Sequence, residues 1–346
     1  MKLSIILPVF NVEKYIRLCL ESIYNQGLED GLFEVLVVND GCTDNSLNEI
    51  SKIISEHSNI FVINEKNQGQ SVARNNGIAR AKGEYVLMID PDDLLITKSL
   101  PQLLNLACSS SADLIVADFV EMNDSEIAKY DNLPLTESFE TKEKTGIQML
   151  LEELNPYECY IWRTLYRRDF LINNGIKFIP EAFSYEDIPF THECYLKAKK
   201  CIRAYRLLNI YRRGHESATN NILYTPTKAK RFCIAISNTW QLAKNDRISQ
   251  NIQSKIMDNV FVLFSILVST IIHGMKDSSD REMILEFIKQ QIPDMNFKNG
   301  FKQRLVSFLI YRFPRTYMAI RYMSGLIIDN HIRPFYYHRL KGILKR

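Results

Sequence analysis

Residues 84–94 read Glu-Tyr-Val-Leu-Met-Ile-Asp-Pro-Asp-Asp-Leu, an apolar run of strand length that ends abruptly in Asp90, Asp92 and Asp93. A core does not require this. Clustered carboxylates repel one another unless a cation or positive partner sits among them. Pro91 favours an extended Asp90, so Asp90 and Asp92 can converge on one side of the turn. Carboxylate oxygens are the ligands that Mg2+ and Mn2+ prefer, and Mg2+ commonly takes one or two of them plus substrate phosphates. The structural alternative is that Asp92 or Asp93 caps a helix beginning near Leu94.

Outward from this strand, two hydrophobic periods alternate through the first 120 residues. Leu3–Val9, Glu34–Asn39, Ile60–Asn64, Glu84–Ile89 and Asp113–Asp118 are apolar runs of strand length. Between them, Val12, Tyr15, Ile16, Cys19, Leu20 and Ile23 share a helical face behind Asn11, which reads as an N-cap. Leu47, Ile50, Ile53 and Ile54 mark a second helix, Val72–Ala81 a third ended by Gly83, and Leu100–Ala107 a fourth. The pattern predicts an α/β fold with a doubly wound, mostly parallel sheet, whose ligands bind at the carboxyl ends of the strands.

Those ends are rich in polar groups. The first strand runs into Pro8, Phe10 and Asn11, and the second into Asn39-Asp40-Gly41, with Asp44 or Ser46 reading as the next N-cap. The third reaches Lys66, Asn67 and Gly69, with Arg74 one helical turn on. Asp40 can accept hydrogen bonds from a base or ribose. Lys66 or Arg74 can neutralise a diphosphate, to which arginine binds in bidentate fashion. Four such strand ends on one side of a sheet point to a nucleotide site more strongly than any one alone.

The segments SIILPVFNVEKYIRLCLESIYNQ, EVLVVNDGCTDNS, NQGQSVARNNGIARAKGEYVLMIDPDD and SYEDIPF, spread over residues 1–220, resemble the GT-A-fold glycosyltransferases of family 2. The resemblance implies that Pro8, Phe10, Asn11 and Asp40 line a nucleoside pocket, with Asp40 on the base. It makes Asp90 and Asp92 a DxD pair, Asp90 nearer the ribose and Asp92 on a Mn2+ or Mg2+ ion bridging the donor's diphosphate. Lys66, Asn67, Arg74 and Arg213 join them as nucleotide-sugar contacts, with Arg213 and His215 in a basic segment that closes over the diphosphate. It implies inversion at the anomeric carbon and a general base from the acid pair, Asp187 with Glu186 as the alternate. The bland reading of that pair is a helix N-terminus. Trp162 stacks on a sugar in one reading and is a core residue in the other.

The remaining composition bounds the class. Seven scattered cysteines form no CxxC pair, and the short run Leu3–Val9 reads as a strand, not a signal peptide; reduced thiols in the cytoplasm are expected. The expected organisation is a glycosyltransferase domain over residues 1–223, split into a nucleotide-sugar half (1–120) and an acceptor half (121–223). A helical region (224–346) follows. Val260–Ile272 is too short for a membrane span and reads as a buried helix. From Phe301 to Arg346 there are ten Lys or Arg against one acid, leaving 33 basic and 39 acidic side chains elsewhere. That basic, aromatic tail suits the anionic inner face of the plasma membrane, or a solvated face of a packed helix. No nucleic-acid motif accompanies it. The missing QxxRW motif and membrane spans of processive synthases imply transfer of one sugar to a glycan or lipid-linked acceptor. The competing classes are a sugar-nucleotide pyrophosphorylase, which needs a Gly-rich loop after the first strand, and a non-catalytic nucleotide- or glycan-binding relative.

Overall fold

The structure, a computed structural model, describes residues 1–292 apart from 131–137, 157, 184, 215–224 and 276. The basic tail 301–346 and His215 therefore lie outside the described residues.

Three βα units open the chain: β1 (Leu3–Val9), α1 (Ile16–Tyr24), β2 (Phe33–Asn39), α2 (Ser46–Ile54), β3 (Ile60–Asn64) and α3 (Gln70–Arg80). Then come β4 (Tyr85–Met88), β5 (Leu94–Leu95), α4 (Leu100–Ser110), β6 (Leu114–Asn123), α5 (Asp124–Ile127), β7 (Thr141–Lys144) and α6 (Gly146–Gln148). The sheet is completed by β8 (Thr164–Arg167), α7 (Arg168–Asn173), α8 (Asp187–Lys197) and β9 (Cys201–Arg213). Three helices follow, α9 (Pro226–Ala243), α10 (Gln250–Gly274) and α11 (Ser278–Gln291). The strand order is β3-β2-β1-β4-β8-β6-β9-β5, with β7 also on β9. β3, β2, β1 and β4 are mutually parallel, whereas β8, β5 and β7 pair antiparallel to their neighbours, giving a mixed sheet.

β1 is buried over its whole length because both faces of the sheet are covered. Leu3, Ile5, Leu7 and Val9 pack with residues of α1, α2 and α4, while Ile6 joins residues of α3, α8 and the C-terminal helices. The order reverses where β2 and β4 flank β1, and such a reversal opens a crevice at the strand ends. Gly83 sets the entry to β4. A Cβ there would lie 2.4 Å from the Leu3 carbonyl carbon, so only glycine allows that approach.

Several capping expectations are corrected. The residues after Asp92-Asp93 form β5, not a helix, so neither aspartate is an N-cap. α1 begins at Ile16 with Tyr15 in the N-cap position. Asn11 instead adopts φ 52° and accepts a 2.8 Å hydrogen bond from the Thr43 amide. Asn45, not Asp44 or Ser46, holds the N-cap position of α2. Asp44 accepts from the amides of both Ser46 and Glu13, tying one loop to the next.

α10 is long and apolar enough to cross a membrane by length and composition. Its Ile256, Val260, Leu263, Phe264, Leu267, Val268 and Ile271 are nonetheless buried in the same hydrophobic cluster as α8 and α9. This is the packing expected of a core helix.

Candidate active site

A cavity of about 950 Å³ opens at the carboxyl ends of β1, β2 and β4. Pro8, Phe10, Asn11, Asp40, Asn67, Arg74, Asp90 and Asp92 line it, as do Glu186, Asp187 and Arg213. The topology thus gathers eleven of the twelve candidate residues in one place. Lys66 is the exception, being exposed and absent from the cavity lining. Its side chain leaves the β3 end on the solvent side of the loop, where a long cation is best hydrated.

Reciprocal loop bonds build the nucleotide side. Asn11 holds Thr43, the Val12 amide donates to Ser46 Oγ (2.8 Å), and the Asn45 amide donates to Glu13 Oε2 (2.8 Å). Buried Asp40 accepts from the Gln68 amide (2.7 Å) and the Gly69 amide (2.8 Å). It therefore braces the β3–α3 loop as well as facing the cavity. Gly69 takes φ 89° and lies against Phe183, which leaves little room for a side chain. Phe10, 45% exposed, stands at the cavity wall without core packing to explain it.

At the centre, Arg74 on α3 is 3% exposed and bridges two carboxylates. Its Nη2 donates to Asp90 Oδ1 (2.6 Å), and its Nη1 forms an ion pair with Glu186 Oε1. Gln70 donates to the same Glu186 oxygen. Arg74, expected as a diphosphate contact, lines the cavity with each terminal nitrogen donating to a protein carboxylate. A buried guanidinium requires counter-charges, and these two acids supply them.

Glu186 is buried and held in this bridge, while Asp187 sits half-buried at the start of α8. The Asp187 carboxyl is pushed up to about 8, first by burial and then by the adjacent Glu186 charge. The acid pair thus opens a helix, as its bland reading holds, and also lines the cavity. Asp90 is raised by burial, opposed by Arg74.

Asp93 points away from the cavity and is fully buried. Its Oδ1 accepts from the Arg212 amide (2.9 Å), and Arg212 Nε donates to the Asp92 carbonyl (2.8 Å). The Arg212 guanidinium also pairs with Asp124 and lies 5.0 Å over the Tyr15 ring. Arg212 thus fixes the turn carrying Asp92, a role that a run of two arginines in a sequence does not disclose. Arg213 pairs with Glu121 (2.7 Å) and covers Tyr211. Trp162 is buried, as its core reading holds, with an edge in the cavity wall. The C-terminal helices add Arg231, Phe232, Leu263 and Ile266 to the lining, and only a placed tertiary structure could reveal them.

Among the described residues, no three His, Cys, Asp or Glu side chains converge as a complete metal site. Of the acids lining the cavity, Asp90 and Asp92 stand together at the end of β4. Such a hard-oxygen pair suits Mg2+ or Mn2+ when substrate phosphate supplies further ligands.

A sheet of this order, with acidic strand ends around a nucleotide-sized cavity, defines a GT-A-type transferase. The family model for glycosyl transferase family 2 matches residues 4–174. An uncharacterized glycosyltransferase of Escherichia coli (strain K12), YibD, is 30% identical over 268 residues, 74% of this chain and 73% of that protein. The cholesterol galactosyltransferase of Borreliella burgdorferi is 28% identical over 233 residues, covering 64% of each. Staphylococcus aureus TarS residues 1–349, solved in complex with UDP-GlcNAc, superposes with a TM-score of 0.73. That match has 20% identity over 94% of this chain and 92% of that one, a likeness of fold. The chain belongs to glycosyltransferase family 2 and is an enzyme of the glycosyltransferase class.

Proposed function

We propose that the enzyme transfers a single sugar, with inversion, from a UDP-sugar to an acceptor hydroxyl, using Asp187 as general base. The observation that carries this reading is the joining of Asp90 and Glu186 through Arg74. The bridge sets a donor-side aspartate and a helix-start acid pair on one cavity. Residues 1–120 would hold the donor and 121–223 would shape the acceptor side.

In the reaction, the acceptor O–H proton passes to the Asp187 carboxylate as the acceptor oxygen bonds to the anomeric carbon. The bond from that carbon to the diphosphate oxygen breaks, and the nucleoside diphosphate leaves with the electron pair. Glu186 is held beside the base by Arg74. Asp40, Asn11 and Phe10 orient the nucleoside, and the apolar walls exclude water that would hydrolyse the donor. Asp92, with Asp90, would hold a divalent cation, whose charge stabilises the leaving diphosphate. The tie from Arg212 to the Asp92 carbonyl keeps that carboxylate aimed at the cavity.

A thermal-shift series with UDP-, GDP- and dTDP-sugars, each with and without Mn2+, tests the donor assignment. UDP-sugars with Mn2+ should stabilise the protein most, and EDTA should abolish both the shift and transfer. Unchanged transfer in EDTA would remove the cation from the scheme.

A further inference from the structure

One wall of the cavity is aromatic. Tyr160 stacks on Trp162, with ring centroids 4.8 Å apart and an interplanar angle of 19°. Phe119 of β6 meets both rings edge-on, at 5.2 Å from Tyr160 and 4.9 Å from Trp162. Tyr211 of β9 lies 5.8 Å from Tyr160 and 5.4 Å from Trp162, and the Arg213 guanidinium sits 4.4 Å over its ring. Trp162 is buried, whereas Tyr160 and Tyr211 are half-exposed and line the cavity. One face of Tyr160 is covered by the indole, and the exposed remainder lies in the cavity wall. This wall also adjoins the base. Thr191 of α8 donates through Oγ1 to the Cys159 carbonyl (3.3 Å), so the segment carrying Tyr160 is bonded to the helix that opens at Asp187.

A rigid aromatic face with a polar rim matches a sugar ring, whose C–H face is attracted to the negative ring surface while its hydroxyls reach the rim. An aliphatic alcohol would gain nothing from the phenol or guanidinium groups around this surface. Resting on the assignment of Asp187 as base, we propose that Tyr160, backed by Trp162 and flanked by Tyr211, forms the acceptor subsite. The unit receiving the transferred sugar is then itself a saccharide ring, laid on Tyr160 with a hydroxyl directed to Asp187.

The two tryptophans of the chain permit a direct test. Trp240 lies in α9 beneath Lys244, so Trp240→Phe leaves Trp162 as the reporting indole. UDP-saturated Trp240→Phe protein would be titrated with methyl glycosides of glucose, galactose, mannose and N-acetylglucosamine, and with hexanol as the apolar alcohol. At least one glycoside should change the fluorescence saturably, and hexanol should not. Adding Tyr160→Ala should weaken glycoside binding about 10-fold while the UDP affinity holds, and Tyr160→Phe should restore it. Glycoside binding untouched by Tyr160→Ala would overturn the proposal, as would a Tyr160-dependent response to hexanol. So would the lack of any glycoside response up to millimolar concentrations. Failure of UDP itself to bind would instead overturn the donor reading beneath it.

Discussion

Asp187 owes its shifted carboxyl to burial and to Glu186, and both consequences can be measured. A base must be ionised to accept a proton, so turnover should rise with pH through about 8 and level off above it. Asp187→Asn should cut turnover by ~10²–10⁴-fold while UDP binding persists. Stability moves in the opposite sense. Between the ordinary value of 3.8 and about 8, the folded chain holds a proton that the unfolded chain releases. The contribution of Asp187 to stability therefore falls as pH rises across that window. Asp187→Asn should melt above the wild type at alkaline pH, and the gap should close toward pH 4; a pH-independent difference in Tm would contradict this. Arg74 is the second such residue. Arg74→Ala leaves Asp90 and Glu186 without their common partner, and loss of one member of a buried pair costs about 3–5 kcal/mol. Urea unfolding should show that loss, and Arg74→Lys, which cannot grip two carboxylates with a planar fork, should restore only part of it.

Among the elements, α8 is held by a buried polar link. His192 is fully buried, with Nδ1 2.8 Å from the Ile188 carbonyl and Nε2 3.1 Å from Asn259 Nδ2 on α10. Burial lowers its imidazole from 6.5 to about 4, so the ring is neutral, donating through Nδ1 and accepting at Nε2. Below pH 6.5 the unfolded chain protonates this group while the folded chain does not, so its stabilisation is lost as pH falls toward 4. Asn259→Leu should strand the Nε2 acceptor at a cost of about 1–3 kcal/mol, read from the urea midpoint. No sequence pattern announces that link, since His192 and Asn259 lie on different helices. The strands were more legible, for physical reasons. β1 and β3 match their sequence reading to the residue, because apolar runs bounded by polar turns leave no other solution. The strand read as Asp113–Asp118 continues to Asn123, since its outer half alternates polar and apolar residues along β9. β9 itself carries Arg203, Arg206 and Arg212, which mask its apolar period; Asp118 and Asp124 pair with two of them. Asn11 escaped the capping rule because its side chain found Thr43 across the loop.

Across the whole molecule, the three C-terminal helices share one hydrophobic cluster with Ile6 and Val86 of the sheet and Phe190 of α8. Removing residues 224–346 would expose that cluster and strip Arg231, Phe232, Leu263 and Ile266 from the cavity wall. A chain ending at 223 should therefore show no cooperative melting and rapid proteolysis, whereas a cooperative transition would make the helices dispensable. The charge pattern of the sequence shows why acidic strand ends can be recognised at a distance, whereas the aromatic wall cannot. Carboxylates at a strand end are costly and conspicuous; tyrosines are ordinary core material until their exposed faces are located. The Arg74 bridge has one more consequence, for the enzyme at rest. An acidic pocket would ordinarily recruit ions from the medium, and its shape would vary with the buffer. Here the counter-ion is covalently part of the chain, 2.6 Å from Asp90 and shielded from solvent, where dissolved salt screens weakly. The pocket should therefore keep its form in brine as in dilute buffer, with Asp90 held in place by Arg74.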